Sequence, residues 1–231
     1  MSVTDTQNAY DFDADVLRDK YRAERDKRVR DDGNDQYLEV KGDFSHYVDD
    51  PYVEKGFDRD ALTEELEVLV IGGGFGGMLA AARLIEQGIT DIKIIEKGGG
   101  FGGTWYWNRY PGASCDIESY VYLPMLEETG FVPRQKYTDA PETLAYCQVL
   151  AEKFGLNDLA LMQTEVVSTE WDETTRRWTV TTNRQDNLKA RYVVHSNGPL
   201  NRPKLPAIKG IGDYKGHTFH TSRWDYDYTG G

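Results

Sequence analysis

The hydrophobic pattern of the chain is clearest in its second quarter. A mostly apolar run at Leu66–Ile71 indicates a buried strand, the small-residue segment Met78–Gln87 indicates a helix, and Ile92–Ile95 indicates a second strand that leads into Glu96. The turn between the first strand and the helix is the glycine-rich Gly72–Gly77. A strand, a glycine turn, a helix and a strand with a terminal acid, in this order, predict a βαβ unit that binds a dinucleotide.

The glycine turn and the terminal acid have separate predicted roles. Gly72 allows the chain to turn sharply out of the strand, and Gly74 lets the backbone approach a pyrophosphate, whose charge the helix N-terminus stabilises. Gly77 allows the helix to pack closely against the sheet. Glu96 can accept hydrogen bonds from ribose hydroxyls and would repel a 2′-phosphate, so the predicted occupant is FAD or NAD and not NADP. The alternative is a glycine-rich turn in an unrelated α/β domain.

Before this unit the chain is polar. Loosely spaced apolar residues within Phe12–Asp32 predict a charged helix on the surface, with a contact to another subunit or a cap over an active site as alternatives. Residues 33–60 predict a connecting loop, with a short element near Phe57–Leu62.

After the βαβ unit the pattern predicts one more helix and three more strands. The helix is Pro141–Phe154, with the proline in its first turn. The alternating segments Glu165–Trp171 and Arg177–Thr182 predict a hairpin, and Ala190–His195 predicts a further strand. That strand ends in the turn Ser196–Pro199, as is common for a strand that returns to the sheet beside a nucleotide.

Charge is unevenly distributed along the chain, and this limits the expected partners. The net charge of −12 arises mainly in residues 1–65, where ten Lys and Arg oppose nineteen Asp and Glu. The nucleotide-binding part is therefore close to neutral, and neither nucleic acid nor a membrane is an expected partner. Two cysteines are too few for a disulfide framework, and no CxxC pair offers a metal site. No signal-peptide pattern occurs in Met1–Tyr10 and no apolar run is long enough to span a membrane, which predicts a cytoplasmic protein.

A second glycine-rich segment, Gly98–Tyr122, is also rich in large aromatic residues. These include Trp105, Tyr106, Trp107 and Tyr110. The composition suits a loop whose backbone approaches a flat aromatic ligand while large side chains enclose it. The alternative, an aromatic core cluster with a flexible connection, accounts for the aromatic residues but not for the glycines or for Asp116 and Glu118 among them.

Three stretches together resemble the class B flavin-dependent Baeyer–Villiger monooxygenases. The first is the fingerprint Gly72–Gly77 with Glu96, and the second is Gly102–Gly112 followed by Asp116–Ser119. The third, Tyr214–Asp225, fits the family signature aromatic-x-Gly-x-x-x-His-x-x-x-Trp-Pro/Asp. The second and third stretches are specific, and the resemblance extends over most of the chain after the N-terminal extension.

The resemblance implies a two-stage oxidation. NADPH would reduce FAD, O2 would add at the flavin C4a carbon to give a peroxyflavin, and this peroxide would convert a ketone to an ester or lactone. The flavin supplies this chemistry, while the protein orients the ketone and excludes water. The alternative branch, the flavin-containing monooxygenases that oxidise nitrogen and sulfur, lacks the signature tryptophan that stands here as Trp224.

The resemblance also implies site residues. Cofactor-binding residues are expected at Gly72, Gly74, Gly76, Gly77, Glu96, Gly103, Thr104, Trp105, Tyr106, Trp107, Asp116, Tyr122 and Val166. Asp116 is also the expected catalytic residue, because a carboxylate beside the flavin and the nicotinamide can orient a cation that stabilises the peroxide. Gly216, His220 and Trp224 belong to the third signature, in which the histidine would act mainly as a structural link between domains. No metal site is expected.

The expected architecture is an α/β, Rossmann-like, three-layer FAD-binding domain at residues 66–231, with a small β-hairpin or β-meander insertion. A charged, partly helical extension at residues 1–65 precedes it. No second glycine fingerprint occurs in residues 97–231, so the FAD domain is expected to be incomplete. Residues 211–231 would lead into an NADP domain that this chain lacks, as it lacks the arginine that such enzymes place against the flavin.

The expected partners follow from this organisation. They are FAD, an NADPH whose site lies mostly outside the chain, O2 and a ketone; one alternative adds a second polypeptide that supplies the NADP domain. A non-catalytic FAD-binding module or subunit remains the alternative from a different functional class.

Overall fold

The computed structural model describes residues 12–230, and the chain divides into two compact units. One unit comprises Met1–Glu39 and Lys204–Lys215, and the other comprises Val40–Pro203 and Gly216–Gly231. The segment before residue 12, in which the sequence contains no signal-peptide pattern, lies outside the described residues. The predicted division of the chain at residue 65 stays a prediction.

The regular elements of the described residues are mostly short. The strands are β1 (Tyr37–Leu38), β2 (Thr63–Ile71), β3 (Ile92–Ile95), β4 (Ala160–Leu161), β5 (Val166–Asp172), β6 (Arg177–Thr182), β7 (Asn187–His195) and β8 (Leu205–Pro206). The α-helices are α1 (Ala14–Asp26), α2 (Phe75–Glu86), α3 (Thr104–Trp107), α4 (Ser119–Tyr122), α5 (Leu126–Thr129), α6 (Ala140–Lys153) and α7 (Tyr226–Thr229). Turns of 3₁₀ helix lie at Gly33–Gln36, Gly42–Val48, Leu156–Leu159, Ile211–Asp213 and Thr221–Arg223.

The smaller unit contains the predicted charged helix. This helix is α1, and the side chain of Asp13 caps it by accepting hydrogen bonds from the backbone N–H groups of Asp15 and Val16. It is shorter than the predicted Phe12–Asp32, and none of its residues is buried. In the same unit β1 and β8 form a two-stranded antiparallel sheet.

The larger unit contains a six-stranded mixed sheet with the strand order β4-β3-β2-β7-β6-β5. β2 pairs in parallel with both β3 and β7, and β3 pairs in parallel with β4. β6 pairs antiparallel with β5 and with β7. The predicted βαβ unit, hairpin and returning strand are therefore confirmed. The hairpin continues the same sheet through β7 and does not stand apart as an insertion.

The two faces of the central strands belong to different hydrophobic clusters, because successive strand residues point to opposite sides. Val70 of β2 packs in one cluster with Met78 of α2 and Leu150 of α6. Its neighbour Leu69 belongs to a second cluster with Val180 of β6. Each of these side chains is fully buried, and such burial stabilises the fold by about 1.5–3 kcal/mol per large side chain. The expected α/β, Rossmann-like fold is confirmed.

The short element predicted near Phe57–Leu62 is absent. This segment has no regular structure, and β2 begins directly after it. Arg59 donates hydrogen bonds of 2.7 and 2.6 Å to the two carboxylate oxygens of Asp186, and the backbone N–H of Leu62 donates to the same carboxylate at 2.8 Å. Contacts with distant residues, those of Asp186 among them, therefore hold the segment in place of a local helix or strand.

Candidate cofactor-binding site

A cavity with a volume of about 350 Å³ lies at the carboxyl ends of the parallel strands β2, β3 and β7. Ile71 and Ile95, the last residues of β2 and β3, line it, as does Ser196 directly after β7. In open α/β sheets this edge is the place where ligands bind. The sheet therefore positions the cavity where the glycine turn of the sequence predicts a dinucleotide.

Two glycines of the first turn are required by the fold itself. Gly72 has a positive φ of 109°, and a Cβ atom there would lie 2.6 Å from the carbonyl oxygen of Ser196. A Cβ atom at Gly77 would overlap the carbonyl oxygen of Gly72 and approach Val70. The turn and the start of α2 are thus in direct backbone contact.

Gly74 and Gly76 are not required by the fold in this way. Cβ atoms at these positions would meet other protein atoms only at ordinary distances of 3.5 and 3.6 Å, and both residues line the cavity. Gly74 is also the N-cap of α2 and provides no side-chain hydrogen bond to it. Because the first N–H groups of a helix have no partner within the helix, this end of α2 can bind an anionic group.

Glu96 is buried beside the glycine turn and lines the cavity. Its Oε2 accepts a hydrogen bond of 2.6 Å from the backbone N–H of Gly73, and its Oε1 accepts one of 2.7 Å from Gly98. Burial raises the pKa of Glu96, and these two hydrogen bonds oppose the rise. Each oxygen keeps a further acceptor site, so the carboxylate can both fix two loops and accept a ribose hydroxyl.

The second glycine segment packs directly against the first. The backbone N–H of Gly102 donates a hydrogen bond of 3.0 Å to the carbonyl of Gly73. Gly103 has a positive φ of 53°, and a Cβ atom there would lie 2.8 Å from the Cα atom of Gly74. The glycines of both segments therefore allow two backbones to meet at the cavity wall.

Aromatic side chains form another part of the wall. Trp105, Trp107 and Tyr122 line the cavity. The indole Nε1 of Trp105 donates a hydrogen bond of 2.8 Å to the Tyr122 hydroxyl, and Phe75 packs edge-on against the Tyr122 ring at 5.7 Å between ring centres. Burial raises the pKa of Tyr122, while the hydrogen bond from Trp105 opposes the rise. The hydrogen bond and ring contacts hold these planar groups in fixed orientations.

Most of the residues that the resemblance implies lie together in the cavity wall. These are Gly72, Gly74, Gly76, Glu96, Gly103, Thr104, Trp105, Trp107, Tyr122 and Val166. Gly77, Tyr106 and Asp116 do not line the cavity, for different physical reasons. Gly77 instead permits the backbone contact with Gly72 that shapes the turn.

Tyr106 points away from the cavity because it lies in the single helical turn α3, where successive side chains diverge by about 100°. Its hydroxyl donates a hydrogen bond of 2.7 Å to Asp50 and accepts one of 2.8 Å from the backbone N–H of Gly99. Burial, reinforced by Asp50, raises its pKa. Tyr106 therefore supports the wall from behind and does not lie along the cavity.

Asp116 is exposed and lies outside the cavity wall. Ala113 and Cys115 are buried in a cluster with Trp105, whereas the alternate residues Ser114 and Asp116 are exposed. This alternation is that of an extended segment with one buried face. The catalytic role expected for Asp116 stays a prediction.

Several cavity residues have no predicted role in the sequence. They are Phe75, Lys97, Gly102, Thr164, Glu165, Leu200 and Asn201, together with the turn residues Ser196, Asn197 and Gly198. Lys97 directly follows Glu96, which the sequence predicts to bind the cofactor. Its position in the sequence could therefore have indicated that it lies in the cavity wall. Thr164 and Glu165 carry no local signal for the cavity, because contacts between distant segments place them there, among them a backbone hydrogen bond of 2.9 Å from Thr164 to the carbonyl of Glu96.

The residues of the third signature, within Tyr214–Asp225, do not line the cavity. The ring nitrogen Nδ1 of His220 accepts a hydrogen bond of 3.1 Å from the backbone N–H of Ser222 and so caps a 3₁₀ turn. Trp224 is half-buried and packs edge-on against Phe219, whereas Gly216 is exposed. Arg223, which the sequence did not single out, is buried, and its guanidinium lies 4.1 Å from the ring centre of Trp107 in the cavity wall.

The described part of the chain contains neither a metal-binding cluster nor a membrane-spanning helix. Within residues 12–230, no group of three His, Cys, Asp or Glu side chains is arranged to hold a metal ion. Over the same residues, no helix has the length and apolar composition needed to cross a membrane.

Comparison with known proteins identifies the family. A family model described as pyridine nucleotide-disulphide oxidoreductase matches residues 69–230. The chain belongs to this family. The match includes the whole glycine turn, both cavity walls and the signature segment.

Similar curated proteins include Baeyer–Villiger monooxygenases. A Baeyer–Villiger monooxygenase from Streptomyces coelicolor is 52% identical over 93% of this chain and 36% of its own length. Another from Stachybotrys chlorohalonatus is 49% identical over 95% of this chain and 35% of its own length. The resemblance found in the sequence is thereby confirmed, and the chain spans about a third of the length of these relatives.

Solved structures show the same relationship. The polycyclic ketone monooxygenase from Thermothelomyces thermophila has a TM-score of 0.83 and 38% identity, covering 94% of this chain and 37% of that protein. An oxidized steroid monooxygenase bound to NADP has a TM-score of 0.64 and 40% identity, covering 71% of this chain and 32% of its own.

Proposed function

We propose that this chain binds FAD and forms the FAD-binding part of a Baeyer–Villiger monooxygenase, which uses NADPH and O2 to oxidise a ketone to an ester or lactone. The observation that carries the proposal is the cavity itself. One wall consists of glycine backbone and a helix N-terminus, and another consists of fixed aromatic rings.

The residues present fit FAD by their chemistry. The start of α2, left open by Gly74 and Gly76, suits the pyrophosphate. Glu96 suits the ribose hydroxyls of the adenosine half. When bound, FAD would supply the electron transfer and oxygen activation that no side chain of this chain provides.

The chain's own contribution would be binding, orientation and exclusion of water. The hydrogen bond from Trp105 to Tyr122 fixes two rings of the wall, and the buried face of Trp107 adds apolar surface beside them. Rigid apolar walls protect a reactive cofactor from water. Asp116 is exposed and follows the aromatic segment Thr104–Trp107 in the sequence. It would orient a cationic group supplied from outside the chain.

The partners of the proposed enzyme lie mostly outside this chain. NADPH, the ketone and the arginine beside the flavin would bind to or come from the part of the fold that the longer relatives contain, either in the same polypeptide or in a second one. We expect the assembled enzyme in the cytoplasm.

A titration of the 231-residue chain with FAD tests the first part of the proposal. FAD should bind with one site per chain and remain bound through gel filtration, whereas FMN, which lacks the adenosine half held by Glu96 and the glycine turn, should bind much more weakly. Equal binding of FMN and FAD, or no binding of FAD, would contradict the assignment of the cavity.

Activity measurements test the second part. The chain alone should not oxidise NADPH in the presence of ketones, and activity should appear when the missing portion of the fold is supplied as a separate polypeptide. An ester formed from a ketone supports the Baeyer–Villiger reaction, whereas a sulfoxide formed from a thioether without any ester would assign the chain to the heteroatom-oxidising branch.

A further inference from the structure

Lys97 places a positive charge in the cavity wall. It follows Glu96 directly, is half-buried and lines the cavity beside Glu165. Among the described residues, its ammonium forms neither an ion pair nor a hydrogen bond with the protein. Lys93, four residues earlier, differs in this respect, because it pairs with Glu64 at 3.0 Å.

The surroundings of Lys97 do not neutralise this charge. Burial lowers its pKa, which Glu165 opposes, while Arg223 lowers it further. The carboxylate of Glu96 also opposes the fall in this pKa, but it forms no ion pair with the ammonium; its oxygens accept hydrogen bonds from the backbone of Gly73 and Gly98. Arg202 adds a further positive charge on the same side. Among the described residues, neither Glu165 nor Glu96 is in direct contact with the Lys97 ammonium, so this cation has no paired anion in the wall.

Trp107 connects two of these cations. The Lys97 ammonium lies 5.4 Å from the Trp107 ring centre, and the Arg223 guanidinium lies 4.1 Å from it. Contact with the ring partly compensates the desolvation of each cation. A half-buried ammonium without a hydrogen-bond acceptor nevertheless remains costly, and a bound anion would relieve that cost.

We propose that Lys97 is a further cofactor-binding residue, whose ammonium donates charge-assisted hydrogen bonds to the phosphate oxygens of the dinucleotide in the cavity. This inference rests on the proposed function. An ammonium only donates, and the anionic groups of FAD are its phosphates, whereas the ribose hydroxyls suit the acceptor Glu96. Lys97 would therefore complement the N-terminus of α2, which carries only a partial positive charge.

The test is the dissociation constant of FAD, measured by flavin fluorescence in the 231-residue chain at several NaCl concentrations. Loss of one charge-assisted contact in Lys97→Met should raise the dissociation constant about 10-fold. Lys97→Arg should stay within about threefold of wild type, because it keeps the charge and the donors. Lys189→Met, which removes an exposed charge outside the cavity, is the matched control and should bind FAD as wild type does.

Salt dependence distinguishes a phosphate contact from a packing role. The affinity of wild type and Lys97→Arg should fall more steeply with NaCl than that of Lys97→Met, because only the first two keep the screened charge. The thermal midpoints of the proteins without FAD, measured alongside, should agree for all variants.

Each alternative result has a definite meaning. If wild type binds FAD and Lys97→Met binds it equally well, the inference about Lys97 is wrong while the proposed function stands. If Lys97→Met is weakened but keeps the wild-type salt dependence, or Lys97→Arg fails to restore binding, the side chain fills space and does not contact phosphate. If wild type binds no FAD, the proposed function and this inference both fail.

Discussion

Glu96 and Gly73 are joined by a hydrogen bond of 2.6 Å from the glycine backbone N–H to the carboxylate. This bond connects the end of β3 with the turn that follows β2. The second carboxylate oxygen binds the backbone of Gly98, where the other glycine-rich segment begins. A residue expected to bind ribose therefore also holds together the two loops that shape the cavity.

Replacing Glu96 should consequently affect both stability and cofactor binding. Glu96→Ala leaves two buried backbone N–H groups without acceptors, at a cost of about 1–3 kcal/mol each. The free energy of unfolding, measured by urea denaturation without FAD, should fall by about that sum, and FAD affinity should fall as well. Glu170→Ala, which removes an exposed carboxylate of β5, should change neither quantity. A variant at Glu96 with wild-type stability would contradict the structural role.

The pKa of Glu96 also predicts a pH dependence. Burial raises this pKa in the folded chain above its ordinary value of 4.5, so the folded chain binds more protons than the unfolded chain just above that pH. The contribution of Glu96 to stability should therefore decrease as the pH rises through that interval. Urea denaturation of Glu96→Gln at several pH values should lack this component, and an identical pH profile would count against the raised pKa.

Two neighbouring glycines should respond differently to alanine. Gly77→Ala creates an overlap with the carbonyl of Gly72, so it should destabilise the chain by about 3 kcal/mol or more, or prevent folding. Gly76→Ala meets only ordinary contacts, so it should fold normally but place a methyl group at the open side of the cavity and weaken FAD binding. Gly212→Ala, where the new Cβ meets nothing within 4 Å, is the control. Equal stability losses at positions 76 and 77 would contradict this separation.

The sequence predicts the central βαβ unit well, because the periodicity, the glycines and the terminal acid all lie within about thirty residues of one another. Each of these signals is local. The same is true of α6, which begins one residue before the predicted Pro141, and of the hairpin formed by β5 and β6.

The sequence predicts the cavity wall only in part. Motif matching assigns all of Thr104–Trp107 to the cofactor, but the helical turn can point only some of these side chains toward it, and Tyr106 binds Asp50 instead. Thr164 and Glu165 lie in the wall because they follow strand β4, which pairs with β3. No sequence pattern near Glu96 predicts this pairing. Contacts between distant segments depend on tertiary packing. The hydrophobic periodicity of a single sequence reports local helices and strands and does not reveal such contacts.

The ion pair of Arg59 and Asp186 is an example of such a distant contact and makes stability dependent on pH. Burial alone would raise the pKa of Asp186, but hydrogen bonds from Arg59, Thr182 and the backbone of Leu62 lower it to about 2 from an ordinary value of 3.8. A lowered carboxylate pKa contributes stability above pH 4 that is lost as the pH falls toward 2. This contribution is about 2 kcal/mol.

Asp186→Asn should remove that contribution and leave the Arg59 guanidinium without its anion. The unfolding free energy at pH 7 should fall by about 3–5 kcal/mol, as for other buried pairs that lose one partner. The acid-induced loss of stability between pH 4 and pH 2 should also become shallower than in wild type. Asp158→Asn, at an exposed carboxylate, should retain both the stability and the slope, and an unchanged slope in Asp186→Asn would exclude the ion pair as its source.

Arg223 should be difficult to replace even by lysine. Its guanidinium donates hydrogen bonds of 2.8, 2.7 and 3.2 Å to the backbone carbonyls of Asp49, Ser222 and Asn201 while lying against the Trp107 ring. An ammonium carries the same charge but cannot reach three carbonyls in one plane and stack on an indole. Arg223→Lys should therefore lower the unfolding free energy by about 2–4 kcal/mol, because hydrogen bonds from a buried charged donor are lost.

The same substitution should reach the cavity through Trp107. Arg223→Lys leaves the indole without its stacked partner, so FAD should dissociate faster even at temperatures where the variant is fully folded. Arg202→Lys is the matched control, because Arg202 is exposed and forms no such stack. If Arg223→Lys loses stability but releases FAD at the wild-type rate, Arg223 supports only the fold, and Trp107 is held in the wall by its other neighbours.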